Sequence, residues 1–206
     1  MADYQTIRGT ARFEYEEKKS RFIGAAAFAD SEESALHFLA AVRAANRTAR
    51  HNVYAYVLRA ENRTRFSDDG EPAKTAGAPV LACIRHAELF DVAVVVTRYF
   101  GGILLGTGGL VRAYTAAASG ALAKAETVSM RLVVDGSIRV PYPLFEPAQR
   151  LLAAAGTRPG EPVFADAVTL PWRMPAGTEA PLCAALNELT RGAAQIELSE
   201  PFYAPY

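Results

Sequence analysis

Cysteine is almost missing from this chain, with Cys83 and Cys183 the only two in 206 residues. They fall in separate helix-like stretches a hundred positions apart, which excludes a disulfide framework and a C-x-x-C metal pair, and fits buried, reduced thiols. Long apolar runs are missing too. Val92 to Val96 is far short of the roughly 20 residues that span a bilayer, and the opening "MADYQTIRGTARFEYEEKK" has no apolar signal core. A cytoplasmic protein without membrane contact is the expectation. Net charge is absent, 22 Lys and Arg against 22 Asp and Glu, which removes any bulk electrostatic case for nucleic acid. The charge is uneven all the same: residues 1–125 hold 16 basic against 13 acidic side chains, and 126–206 hold 6 against 9, as two units with different surfaces would. Low-complexity tracts and fixed-period repeats are lacking, and half the residues are apolar, so the chain reads as globular, with length for one or two domains.

Periodicity divides the chain. Residues 6–28 alternate and carry β-formers, reading as one or two strands, and Asp30 with Glu33 forms a capping-box spacing before a helix over 31–47. In "HNVYAYVLR", Val53, Ala55 and Val57 share one face and Tyr54, Tyr56 and Leu58 the other, the pattern of a strand covered on both sides. A polar loop over 60–74, a helix over 75–89 and an apolar strand "DVAVVVTRYF" follow, then a helix from about 108 to 125. Beyond it the order is strand 127–141, helix 144–155, two strands near 160–174, helix 178–190 and strand 194–198, whose latter part reads as the β-α-β-β-α-β ferredoxin-like plan. Asp135-Gly136 reads as a turn near the boundary, which separates domains of 1–128 and 136–206.

The stretch "TRYFGGILLGTGGLVRAY" places Gly101, Gly102, Gly106, Gly108 and Gly109 within nine positions. Each glycine in an element interior costs about 0.5–1 kcal/mol against alanine. Two accounts stand. The glycines allow positive φ and close chain approach, or they let backbone N–H groups at a helix N-terminus gather around an anion. No acid occurs between Val92 and Ala125, whereas Arg98, Arg112 and Lys124 do. A helix starting near Thr107 puts Arg112 about one turn in, at the positive end of the dipole, where a bound phosphate or full solvation makes a cation tolerable. A Walker loop fails for want of Lys, and the dinucleotide fingerprint fails at Val111. "LLGTGGL" keeps a loose likeness to the glycine loop of small-molecule kinases, without its paired serines.

In "RFSDDGEPAKTAG", Asp68, Asp69 and Glu71 have the chemistry for Mg²⁺ or acid-base work, or form an acidic turn that favours the following helix or pairs with Arg98 or Arg112. His51 at a strand start, with Cys83, Ser67 or Asp69, has no nucleophile-elbow motif around it, so a structural hydrogen bond is the plainer role. Tyr99 and Phe100 have the rings to stack on bases or to fill a core. Lys18, Lys19, Arg21, Arg47 and Arg50 add interspersed basic groups.

Together, "KKSRFIG", "HNVYAYVL", "SDDGEP…TAGAPVL" and "VVVTRYFGGILLGTGGLVRAY" resemble the YigZ/IMPACT family over about residues 15–125, and the remainder is similar to the small C-terminal domain of bacterial members. Lys74 departs from the small residue expected before "TAG". The resemblance implies an α+β protein of two domains: a ribosomal-protein-type left-handed β-α-β fold similar to domain four of elongation factor G, and a ferredoxin-like domain similar to its domain five. Eukaryotic relatives regulate translation by competing for the activator of the amino-acid-starvation kinase. Carried over, the binding positions are Arg98, Tyr99, Phe100, Gly101, Gly102, Gly106, Gly108, Gly109 and Arg112, faced by Asp68, Asp69, Gly70, Glu71 and Pro72, with His51 beside them. No cofactor, metal or catalytic residue is implied, and the expected partner is RNA, the ribosome or a translation factor. The alternatives are a phosphotransferase or nucleotide-binding enzyme using the glycine loop, and a protein-interaction module.

Overall fold

The computed structural model describes residues 3–206, apart from the side chain of Glu61. The chain forms two units, 4–129 and 130–206, the second joined by Asp3. In the first, β1 (Tyr4–Arg8), β2 (Thr10–Glu17), β3 (Ser20–Phe28), α1 (Glu32–Ala45), β4 (His51–Leu58), β5 (Arg63–Ser67), α2 (Gly77–His86), β6 (Val92–Tyr99) and α3 (Gly106–Lys124) follow one another. β7 (Glu126–Val140) then runs through the division.

The first unit is an antiparallel sheet in the order β2-β3-β6-β4-β5 with helices on both faces. Alternation on β4 divides it between two cores. Val53, Ala55 and Val57 pack with α2 and α3, together with Val92, Val94 and Val96 of β6. Tyr56 and Leu58 pack with Ala29, Ala35 and Ala93, and Phe38 and Tyr54 close that cluster beneath α1. The small residues Ala113, Ala117 and Ala121 of α3 let it lie directly on the sheet, and at Gly24 an added Cβ would fall 2.2 Å from the Ala117 carbonyl oxygen.

Several local expectations are corrected. α1 is capped by Ser31 and Ser34 rather than Asp30 and Glu33: Ser34 N donates to Ser31 Oγ and Ser31 N to Ser34 Oγ, each at 3.2 Å. Residues 4–28 make three strands. The supposed loop 60–74 contains β5, whose arginines disguised an edge strand.

In the second unit, β7 leads to α4 (Phe145–Ala154), the short β8 (Arg158–Pro159) and β9 (Val163–Phe164), β10 (Val168–Pro175), α5 (Ala180–Leu189), β11 (Gln195–Leu198) and β12 (Phe202–Pro205). The antiparallel order β11-β7-β10-β8 is that of a ferredoxin-like sheet, its second strand broken into β8 and β9, with β12 added along the first half of β7. Inward residues of β7 and β10, among them Val134, Ile138, Leu170 and Trp172, meet Ala148, Leu152, Leu182 and Leu186 of the helices. The Asp135-Gly136 turn is not formed. Both residues lie inside β7, where Asp135 takes a bidentate pair from Arg173 at 2.6 and 2.9 Å and Gly136 faces Trp172. Turn chemistry misled because the glycine serves packing: an added Cβ would stand 2.1 Å from the indole. Among the described residues, no helix is long and apolar enough to cross a membrane.

Two measurements check these contacts. Trp172 is the only tryptophan, so its fluorescence reports the second unit. Gly136→Ala is expected to destabilise that unit by about 1–3 kcal/mol, as overpacking does, and so to lower its denaturant midpoint. In the first unit, the Tyr56 hydroxyl, then Arg65 and Arg63, hold the Glu32 carboxyl down at about 2. That contribution is present at neutral pH and is lost as pH falls from the usual carboxylate range through about 2. Glu32→Gln should therefore flatten the acid limb of a stability-pH curve.

Candidate functional site

β6 delivers its last residues to the end of the sheet where the glycine segment begins. Counting by twos from Val92, Val94 and Val96 puts Arg98 on the buried face, between Phe22 of β3 and His51 of β4. Arg98 is 7% exposed. Its Nη1 donates to Glu71 Oε1 at 2.7 Å, the Tyr114 hydroxyl donates to the same oxygen at 2.7 Å, and the guanidinium lies over the rings of Phe22 and Phe100. Arg98 Nε is buried without a partner. Burial, then the negative charge of Glu71, pushes the Tyr114 hydroxyl far above its ordinary value, so it stays a donor. The expected role of Arg98 as a surface phosphate contact is therefore corrected: its charge is spent inside the fold.

The acidic turn is built as structure. Asp68 accepts from the amides of Lys74 (2.9 Å), Ala76 (3.1 Å) and Gly77 (2.8 Å), capping α2 in place of a residue at its N-terminus. Lys74, at the position where a small residue was expected, takes φ +64, where a glycine is more at ease. Asp69 accepts from Arg43 Nη2 at 2.8 Å and from the Asn52 amide at 2.7 Å. Its carbonyl faces His51 Nδ1 at 2.8 Å, so that nitrogen carries the hydrogen. Gly70 turns at φ +86 and Glu71 enters the core. Asp68, Asp69 and Glu71 thus all accept from protein donors, and His51 spends Nδ1 on the Asp69 carbonyl.

The glycine segment divides in two. Gly101 belongs to the sheet end: its amide donates to Ser20 Oγ at 3.1 Å, and an added Cβ would strike the Lys19 backbone at 2.0 Å. Tyr99 turns to the other face, donating to Asn46 Oδ1 at 2.9 Å beneath Arg21. Gly102 and Gly106, at φ +85 and +71, carry the chain outward and into α3, and Gly109 is buried against Leu105. Gly106, Thr107 and Gly108 are exposed, α3 has no side-chain cap, and its first turn contains no acid. Arg112 bends back until Nη1 is 3.6 Å from the point a Gly108 Cβ would occupy. Around this end Phe100 is 53% exposed and Leu104 83%, with Ile103 beside them. The surface brought together is thus Phe100, Ile103, Leu104, Gly106, Gly108 and Arg112, with Arg98, Glu71, Asp68, Asp69 and His51 supporting it from within. Ile103 and Leu104 were missed, although two large aliphatics between glycines, with no alternation to bury them, were the signal.

Removing Arg98 alone should destabilise the first unit by about 3–5 kcal/mol, because Glu71 is left charged in the core. Arg98→Met with Glu71→Leu should recover much of that loss. Denaturant unfolding followed by far-ultraviolet dichroism separates the two variants.

The Impact N-terminal domain model matches residues 18–122, and the Domain of unknown function (DUF1949) matches 138–193. An IMPACT family member from Thermus thermophilus is 44% identical, covering 87% of this chain and 98% of the relative. IMPACT family member YigZ of Escherichia coli is 37% identical over 87% of this chain and 89% of its own length. A solved structure titled "Crystal structure of an hypothetical protein" aligns with TM-score 0.66 at 34% identity, covering 97% of this chain and 98% of the other. Protein IMPACT of Xenopus laevis is 46% identical over 63 residues. With both domains matched and the buried Arg98 and glycine-bearing turn within the matched span, the chain belongs to the IMPACT family.

Proposed function

We propose that this protein is a translation-associated regulatory binding protein whose contact surface is the amino end of α3, and that the surface takes RNA phosphates, as on a ribosome. The observation that carries this reading is Arg112. It makes no hydrogen bond or ion pair among the described residues, yet it folds over Gly108 toward the positive end of the α3 dipole. A cation at that end is disfavoured by itself, and an anion held jointly by the guanidinium and the first-turn amides reverses the sign. Phe100 offers a ring beside that anion for a base to stack on. Arg98, buried under the same ring, positions it and adds no contact of its own.

Filter binding to single-stranded RNA and co-sedimentation with ribosomes, each across a salt titration, test this. Affinity is expected to fall with salt, by a slope of about −0.7 for each phosphate neutralised, and Arg112→Ala should reduce that slope by about one contact. Binding indifferent to both salt and Arg112→Ala would overturn the reading.

A second reading rests on Ile103 and Leu104, exposed aliphatic side chains that offer no aromatic ring and suit a protein surface. Under it, Leu104→Asp abolishes capture of a partner from nuclease-treated lysate while RNA binding is unaffected.

A further inference from the structure

β2 is an outer strand of the first sheet, paired with β3 and with no other strand among the described residues. Its far edge carries a row of backbone donors and acceptors that another strand can complete. Proteins usually blunt such edges by shortness, proline or a bulge. β2 has none of these: it runs eight residues, where about five or six is usual, contains no proline, and keeps an unbroken register with β3 from Thr10↔Ala27 to Glu17↔Ser20. Charge is its one guard, and the charge pattern complements itself.

Two copies of one strand pair antiparallel about a two-fold axis perpendicular to the sheet. Opposed residues then lie on the same face, so the axis passes midway between one residue and its own copy. Centred on Phe13, the pairing sets Arg12 opposite Glu14 of the second copy, twice, with Thr10 opposite Glu16 and Ala11 opposite Tyr15. Centred on Arg12 or on Glu14 it sets like charges face to face, which is destabilising. Arg12 and Glu14 are exposed, Glu14 holding only a loose 3.6 Å contact with Arg21. On the opposite face Phe13 and Tyr15 are half-buried against the α3 core, the Phe13 ring lying on Gly120 and under Lys124. In the pair, the two Phe13 rings meet and carry that core across the seam. The other outer strand refuses the same operation: β5 has five residues, and centring on its middle sets Arg65 against Arg65.

We infer that β2 docks a second copy of this chain, edge to edge and in register about Phe13, joining two five-stranded sheets into one of ten strands. The occupant follows from the reciprocal Arg12 and Glu14 pattern, which a chance peptide would not match.

Sedimentation velocity and light scattering over a concentration series test it on the full-length protein. The wild type is expected to show a monomer-dimer equilibrium. Arg12→Glu and Glu14→Arg should each weaken the dimer by about tenfold or more, since two attractive cross-strand pairs become two repulsive ones. An equimolar mixture of the two variants should restore association as a heterodimer, and the doubly exchanged R12E/E14R chain should restore it as a homodimer. Both sites are exposed, so folding is checked by dichroism. Amide exchange in β2 that slows with concentration gives a readout free of substitution. A wild type that stays monomeric to its solubility limit, a dimer indifferent to both reversals, or a mixture that fails to associate would overturn the inference.

Discussion

A single buried ion pair organises the end of the first sheet. Glu71 Oε1 receives both Arg98 and Tyr114, which ties the turn before α2, the end of β6 and the middle of α3 to one oxygen. The neighbouring acids extend the tie: Asp68 holds the start of α2, and Asp69 holds the Asn52 amide of β4 and Arg43 of α1. Glu71 and Asp69 are paired with arginines and Asp68 is hydrogen-bonded by backbone amides, the kind of compensation under which charges are tolerated away from water. Because the glycine segment leaves β6 three residues after Arg98, its position is set by this knot rather than by contacts of its own.

That division of labour explains the composition of the segment. The acids that would neutralise the exposed end of α3 are drawn inward on a different turn, so the helix begins without an acid or a side-chain cap. Gly101 permits contact with the Lys19 backbone, Gly102 and Gly106 supply left-handed turns, and Gly109 packs inside, leaving Gly106 to Gly108 and Arg112 at the surface. The weakness of a glycine-rich stretch is confined to a few residues between a rigid strand and a long helix. Flanking Phe100, Ile103 and Leu104 give the same surface an apolar character that the charges alone would not suggest.

Much of the architecture was legible. The two-sided alternation of β4, the helical periods of α1 to α5 and the ferredoxin-like order of the second unit all follow from periods of 2 and 3.6 along the chain. The misses have local causes. β5 carries arginines on a short edge, β12 lies past the last helix where no pattern calls for a strand, and Gly136 looks like a turn residue though it makes room for Trp172. In the site, parity alone puts Arg98 on the same face as Val92, Val94 and Val96, a signal present in the sequence but outweighed by the charge of the residue.

By itself, then, the sequence determined two α+β units, their helices and central strands, and a glycine-bearing turn opening a helix with no acid near it, because these rest on short-range periodicity and backbone freedom. Which charges face solvent was decided by tertiary structure alone. Glu71 lies 27 positions from Arg98 and Asp69 lies 26 from Arg43, and only the folding of α2 against the sheet brings an acid close enough to one arginine to draw it inside while Arg112 stays exposed.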